Sequence, residues 1–242
     1  MKILATLAIG LAAGAVYAQP SINSLTQPGL KDLAFTWVVE SANQTELAKI
    51  NRDFAQSMRI KRSTVEMKEP FMLRMESTVE DSQVIFIVNG GKKVTRIPRS
   101  GLVARDDVSR APGKRQTWFD FGILTPSLFS NYFSAKFLRT EARGDFNGTH
   151  VFDITYVASL NDKTRHRIWV DPTRKIVRKR EWYGQDGTLR AVFSYQSPVQ
   201  SNGQWVPSRL VVTNAAGRQA GVSAFQNIRA NGGIAASRFA TN

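Results

Sequence analysis

The sequence predicts a mainly β protein: a large, strongly curved antiparallel sheet or barrel with a few helices over its concave side. From about Met58 onward apolar residues alternate with a period of two, the signature of strands with one face inward. Turn-forming pairs recur at even intervals, at Asn89-Gly90, Asn147-Gly148, Asp171-Pro172, Asp186-Gly187, Asn202-Gly203 and Ala216-Gly217. Helical patterns are too few to cover both faces of a parallel sheet, so an antiparallel meander is the arrangement that fits.

The elements follow in order. Lys2 precedes an apolar stretch from Ile3 to Val16 that closes on Val16-Tyr17-Ala18, the pattern of a cleaved export signal over residues 1–18. The stretch is too short to span a bilayer. No linker, low-complexity tract or fixed-period repeat interrupts residues 19–242, so one domain is expected there. After Pro28-Gly29, Leu30, Leu33, Ala34, Trp37 and Val38 recur at helical spacing; Leu47, Ile50 and Phe54 repeat the pattern, with Thr45 as the cap candidate. Phe71, Leu73 and Met75 then alternate with Met72, Arg74 and Glu76, and "VIFIV" at 84–88 reads as a strand apolar on both faces. A turn at Asn89-Gly90-Gly91 leads into "KKVTRIPRS". In "LTPSLFSNYF", Thr125 caps and Pro126 starts a short helix. Strands are expected near 135–143, 149–158, 164–170, 175–183, 188–196, 204–214 and 219–229.

Reactive chemistry is sparse. The chain has no cysteine, which excludes disulfides, thiolate metal sites and a lipid-anchored cysteine. Its two histidines, His150 and His166, fall inside strand patterns without a nucleophile or acid in a catalytic arrangement. Glu80-Asp81 and Asp106-Asp107 are adjacent carboxylates, and neighbours on an extended chain point apart, so neither pair makes a metal cage. No enzyme activity, cofactor or metal is expected. The formal net charge of +14 and pI near 10.4 suit a polyanion or an acidic membrane surface. Because the basic residues are dispersed and no nucleic-acid motif is present, nucleic acid is a poor fit.

"RHRIWVDPTRKIVRKREWYGQDG", residues 165–187, reads as a hairpin about Asp171-Pro172-Thr173-Arg174. A four-residue turn would set Trp169 opposite Ile176, Arg167 opposite Arg178 and Arg165 opposite Arg180. The four arginines would then form one cationic strip beside Trp169. Like charges so placed repel. Three things could balance them: side chains spread into water, a bulge that changes the register, or a bound anion such as an acidic lipid headgroup or membrane surface.

Aromatic residues exceed the needs of one simple core, and whether they fill the interior or line a pocket is open from periodicity alone. "STVEMKEPFMLRM", "NGGKKVTRIP", "GKRQTWFDFGILTPSLF", "VFDITY", "HRIWVDPTRKIVRKREWYGQDGTL" and "WVPSRLVVTNAAGRQAG" together resemble the outer-membrane lipoprotein-sorting family, the LolA-like superfamily. The resemblance implies an unclosed antiparallel β-barrel with helices as a lid over an apolar cavity. It further implies a periplasmic carrier of lipoprotein acyl chains or lipid, passing cargo from an inner-membrane donor to an outer-membrane acceptor. An envelope sensor-regulator and an exported polyanion binder are the alternatives. Residues 125–133 are then the expected lid, with Leu128, Phe129 and Phe133 turned inward. Phe71, Leu73, Met75, Phe86, Phe119, Phe121 and Trp169 are the expected wall. The family's lid-holding arginine before a proline is replaced here by Glu69, beside Lys68, so that contact does not carry over.

Overall fold

The computed structural model describes residues 19–242; the expected export signal at 1–18 lies outside the described residues. Thirteen antiparallel strands form one sheet: β1 (Asp32–Ala42), β2 (Arg62–Lys68), β3 (Met72–Val79), β4 (Ser82–Asn89), β5 (Lys92–Ile97), β6 (Leu102–Asp107), β7 (Phe133–Thr140), β8 (His150–Tyr156), β9 (Arg165–Asp171), β10 (Ile176–Tyr183), β11 (Leu189–Ser201), β12 (Gln204–Asn214) and β13 (Gln219–Ala230). Their order is β6-β5-β4-β3-β2-β1-β13-β12-β11-β10-β9-β8-β7. Consecutive strands are neighbours everywhere except at mid-sheet, where β1 pairs with β13, and at the two edges, β6 and β7, which do not pair with each other. The barrel is therefore unclosed. Among the described residues three short α-helices, α1 (Gln44–Ile50), α2 (Arg52–Ser57) and α3 (Pro126–Asn131), and several 3-10 turns accompany the sheet. None of the helices in the described residues is long and apolar enough to cross a membrane.

The first helical expectation is corrected. Leu33, Ala34, Trp37 and Val38 lie in a strand, β1, rather than a helix, and Leu30 just precedes it. β1 lies in the middle of the sheet and carries apolar residues on both faces, and register shifts at Ala34/Thr36 and Val39/Ser41 break its alternation. Two-sided burial plus bulges imitates a three-to-four spacing. The second helical segment is present as α1 and α2, capped by Asn43 and Asn51 rather than Thr45. Asn43 Oδ1 accepts from the Glu46 amide at 3.2 Å, and Asn51 Oδ1 from the Phe54 amide at 2.9 Å. α3 starts as expected, with Thr125 at its N-cap and Pro126 in its first turn.

The β9–β10 register also differs from the expected one. Lys175 takes a left-handed φ of 56°, so the loop is 172–175 and the first pair is Ile176 with Asp171. A bulge between Val177 and Lys179 then sets Lys179 opposite Trp169, Arg180 opposite Ile168, Glu181 opposite Arg167 and Tyr183 opposite Arg165. The bulge breaks the arginine ladder by moving Arg178 out of the alternation.

The concave face gathers Leu33, Phe35, Val65, Met67, Leu73 and Val88 from one half of the sheet, and Phe152, Ile154, Ile168, Phe193 and Val212 from the other, into one apolar core. The C-terminal residues strap the opposite face. Phe239 is fully buried and its carbonyl accepts from Asn89 at 3.2 Å, while Arg238 bridges Glu66 and Glu76 at 2.9 and 3.0 Å. Ile87 and Val94, paired across β4 and β5, are buried on that side.

Candidate functional site

The chain crosses from one sheet edge to the other in residues 108–132, between the end of β6 and the start of β7, and this crossing covers the concave face. Thr117 opens it, where the Thr117 amide donates to Asp120 Oδ2 at 2.9 Å and fixes a single 3-10 turn over Trp118–Phe121. Gly122 follows at φ 76°, a left-handed conformation, and a Cβ there would lie 2.7 Å from the Tyr195 ring. Only glycine meets both conditions. Ile123 then bridges Ile176, the Gly122 carbonyl accepts from the Val177 amide at 2.9 Å, and the Leu124 carbonyl accepts from the Gln27 amide at 2.8 Å. Pairing of β10 with β11 begins at Lys179, so Gly122-Ile123 takes the vacant edge beside the first residues of β10. α3 and the Tyr132 hydroxyl, which donates to the Pro112 carbonyl at 2.7 Å, finish the cover.

Under this cover the aromatic rings pack on one another. Phe121 meets Phe35 at 5.2 Å and Phe225 at 5.8 Å; Phe119 meets Phe133 at 5.0 Å; Phe133 stacks on Tyr156 at 5.0 Å. Phe71, held at φ 53° in the β2–β3 turn, sits 5.2 Å from Tyr132, with the Arg115 guanidinium over both rings. A bulky residue at positive φ is strained and must be held by its surroundings. Of the sequence-expected wall and lid residues, Leu73, Phe119, Phe121, Leu128 and Phe133 are buried in the core, and Phe71, Met75, Phe86 and Phe129 pack half-buried against it. Trp169 is placed elsewhere. It lies on the face opposite its strand neighbours Ile168 and Val170, donating from Nε1 to Glu141 at 2.9 Å with the Lys179 ammonium 4.1 Å above its ring. The concave face is thus filled by the crossing rather than left as an open basin. A surface cleft of about 910 Å³ lies at the far end of β2–β4, lined by residues such as Arg59, Arg62, Thr78 and Gln83.

The four arginines do not make a strip. Arg167 grips Asp153 with two bonds of 2.9 and 3.2 Å, and Arg165 adds a third at 3.0 Å while stacking 3.7 Å over Tyr183. Although burial raises the Asp153 carboxyl pKa, these two guanidinium groups outweigh it and hold the value below the ordinary carboxylate range. Arg178, at the bulge, lies 6.0 Å from the Phe146 ring. Arg180 turns to the concave face and is buried. Its Nη1 donates to Asp120 Oδ1 at 3.1 Å, its guanidinium lies 4.1 Å over Phe193 and 4.9 Å over Phe119, and its Nε is buried with no partner. Beside it His166, its Nδ1 also buried and unpartnered, has a pKa pushed well below normal, first by burial and then by the charges of Arg180 and Arg165. Burial likewise pushes the Tyr132, Tyr156 and Tyr195 hydroxyls up. Sequence reading missed the Asp120–Arg180 pair, although an acid set between phenylalanines in "WFDF" was a signal that something basic must meet it.

Among the described residues no group of acidic or histidine side chains could hold a metal ion. No family model matches the chain, and no curated protein matches it either. Three solved structures are similar over 90% of this chain. They are a LolA superfamily protein from Nitrosomonas europaea (16% identity, 94% of that chain, TM-score 0.57), an outer membrane lipoprotein-sorting protein domain from Vibrio parahaemolyticus (14%, 92%, 0.54) and a DUF1329 family protein from Desulfovibrio piger (13%, 92%, 0.54). The likeness is one of fold: the unclosed, mostly antiparallel thirteen-stranded sheet with few helices is a LolA-like fold.

Proposed function

We propose that the protein is an exported carrier that takes up acyl chains, of a lipoprotein or a free lipid, on the concave face of its sheet when residues 117–133 lift away, and carries them across the periplasm from an inner-membrane donor to an outer-membrane acceptor. The observation that carries this reading is the way the cover is held. Its apolar residues, Phe119, Phe121, Leu128 and Phe133, occupy the floor as an acyl chain would, while scattered polar contacts rather than a continuous ladder tie it down: Asp120 to Arg180, Gly122 to Val177, Leu124 to Gln27, Tyr132 to Pro112 and Val157, and the Tyr195 hydroxyl donating to the Phe119 and Asp120 carbonyls. Such a segment and a lipid are alternative occupants of one apolar surface. Transferring a sixteen-carbon chain from water contributes about 12 kcal/mol gross at about 0.8 kcal/mol per methylene, enough to offset lost packing of the cover and still leave binding reversible. The fold shared with a lipoprotein-sorting domain supports the same reading.

A fluorescent fatty-acyl probe should bind the purified protein and be displaced by unlabelled lipid. Phe129 is half-buried at the rim, so Phe129→Asp should lower affinity at least tenfold while leaving the thermal transition within a few degrees of wild type. Probe binding absent in wild type, or equal loss of folding and binding in the variant, would assign this face to a permanently closed core.

A further inference from the structure

We infer that Arg180 is the headgroup site of the cargo: the ligand carries an anionic head, a carboxylate or a phosphate, that replaces Asp120 on the buried guanidinium. The inference rests on the carrier reading and adds the chemical class of what is carried. Its basis is an asymmetry in the Asp120–Arg180 pair. The arginine belongs to a strand of the floor and its side chain is 6% exposed, whereas the aspartate belongs to the cover and its side chain is 37% exposed. When the cover lifts, Asp120 passes easily into water and Arg180 stays where it is. Its surroundings then offer no substitute. Phe193 and Tyr195 flank it, His166 is held neutral by burial, and Asp120 is the one carboxylate that bonds it among the described residues. A guanidinium left unpaired on an apolar floor is strongly unfavourable, and breaking such a pair costs more than the pair itself contributes. Any occupant that displaces the cover must therefore bring its own anion or bind weakly.

The site is built to accept more than Asp120 gives it. Asp120 spends Oδ2 on the Thr117 amide and offers Arg180 one oxygen, leaving the buried Nε free. A carboxylate or phosphate arriving at the end of an acyl chain has two oxygens free and can take the guanidinium fork with both. The chain would lie along the row now filled by Phe119, Phe121 and Phe133, with its head at the position of Asp120.

Hexadecanoic acid, hexadecyl phosphate and hexadecanol, used to displace a fluorescent acyl probe from the delipidated full chain at pH 8, test this with equal hydrocarbon and different heads. At least one anionic compound should displace the probe at a tenfold lower concentration than the alcohol, and which of the two does so distinguishes a fatty-acid head from a phospholipid-like one. Arg180→Met should bring all three within about threefold of each other. Asp120→Asn should tighten anion binding severalfold, because the competing carboxylate is gone. Should wild type bind the alcohol as well as the anions, or Asp120→Asn bind the anions no better, the headgroup assignment fails while the carrier reading stands. If none of the three displaces or the probe never binds, both fail. The wild-type and Asp120→Asn comparisons decide the matter even if Arg180→Met does not fold.

Discussion

His166 shows what burial does to a single residue in this molecule. Its ring meets Phe119 edge-on at 5.1 Å, and burial with two nearby arginines keeps it neutral in the folded state at pH values where the unfolded chain takes up a proton. The sign is fixed by linkage. The folded pKa is depressed, so the contribution of His166 to stability is complete above the ordinary value of 6.5 and declines as pH falls below it, until the much lower folded pKa is reached. Between pH 7.5 and pH 5.0, denaturant unfolding should show wild type losing more stability than His166→Leu, the difference growing by at most about 1.4 kcal/mol per unit below 6.5. Equal losses in both proteins would mean that the ring can protonate in place. At this scale the sequence was least informative. The alternation rule assigns Arg180 to the same side as Arg178 and Trp169, and one bulge residue reverses it. A bulge depends on what docks against the strand edge, here Gly122 and Ile123, which are far away in sequence.

At the level of elements the sequence was far more legible. The strands from residue 133 onward fall within a few residues of their expected bounds, because most are separated by a residue pair with a specific conformational reason to turn: Asn202-Gly203 takes two successive left-handed conformations, at φ 45° and 76°, and Gly187 of Asp186-Gly187 is left-handed too. β1 escaped because local spacing cannot report that a strand is central and covered on both sides. The crossing segment was half visible. The capping chemistry of Thr125-Pro126 marked α3, while the 3-10 turn at Trp118–Phe121 is too short to leave a periodic signal. Its role as a moving part can be tested cleanly, since the chain contains no cysteine of its own. Ile123 and Ile176 are bridge partners, within reach of a disulfide, so replacing both with cysteine and oxidising should slow exchange of a bound acyl probe at least tenfold, with recovery on reduction. Exchange that ignores the crosslink would leave the crossing without a gating role.

On the scale of the molecule the sheet has two differently protected halves. The half containing β2–β5 relies on the C-terminal strap, whose Phe239 is fully buried among residues of the convex side; the half containing β7–β12 does not touch it through any hydrogen bond among the described residues. Phe239→Ala should lower stability by about 3–5 kcal/mol through the lost burial and the cavity it leaves. Amide exchange should quicken within 72–97 and much less within 150–214; a uniform increase would mean that the strap supports the whole sheet equally. The basic character of the chain has a similarly local structure. On the outer face of β7–β10, Asp153, Glu141 and Glu181 each meet more than one basic or hydrogen-donating side chain, so the surplus positive charge is distributed among satisfied pairs there and does not form one patch.

The mid-sheet pairing of β1 with β13 has a consequence for how the chain reaches this state. Every other strand pair joins neighbours in the chain, the longest connection being the one through α1 and α2 between β1 and β2, but Leu33 meets Ala230 and Val38 meets Ala224 across almost the entire polypeptide. Joining ends so far apart carries an entropic cost of about 4–5 kcal/mol, several times that of a tight hairpin. Each six- or seven-strand meander can therefore zip from its own turns in the manner of a local structure, whereas the seam between them must wait until both present a finished edge. The crossing segment can settle only afterwards, because its floor is drawn from both sides of that seam. During the interval the aromatic floor is open to water, and the newly made protein, before its seam is shut, exposes the same apolar surface that the proposed cargo would occupy.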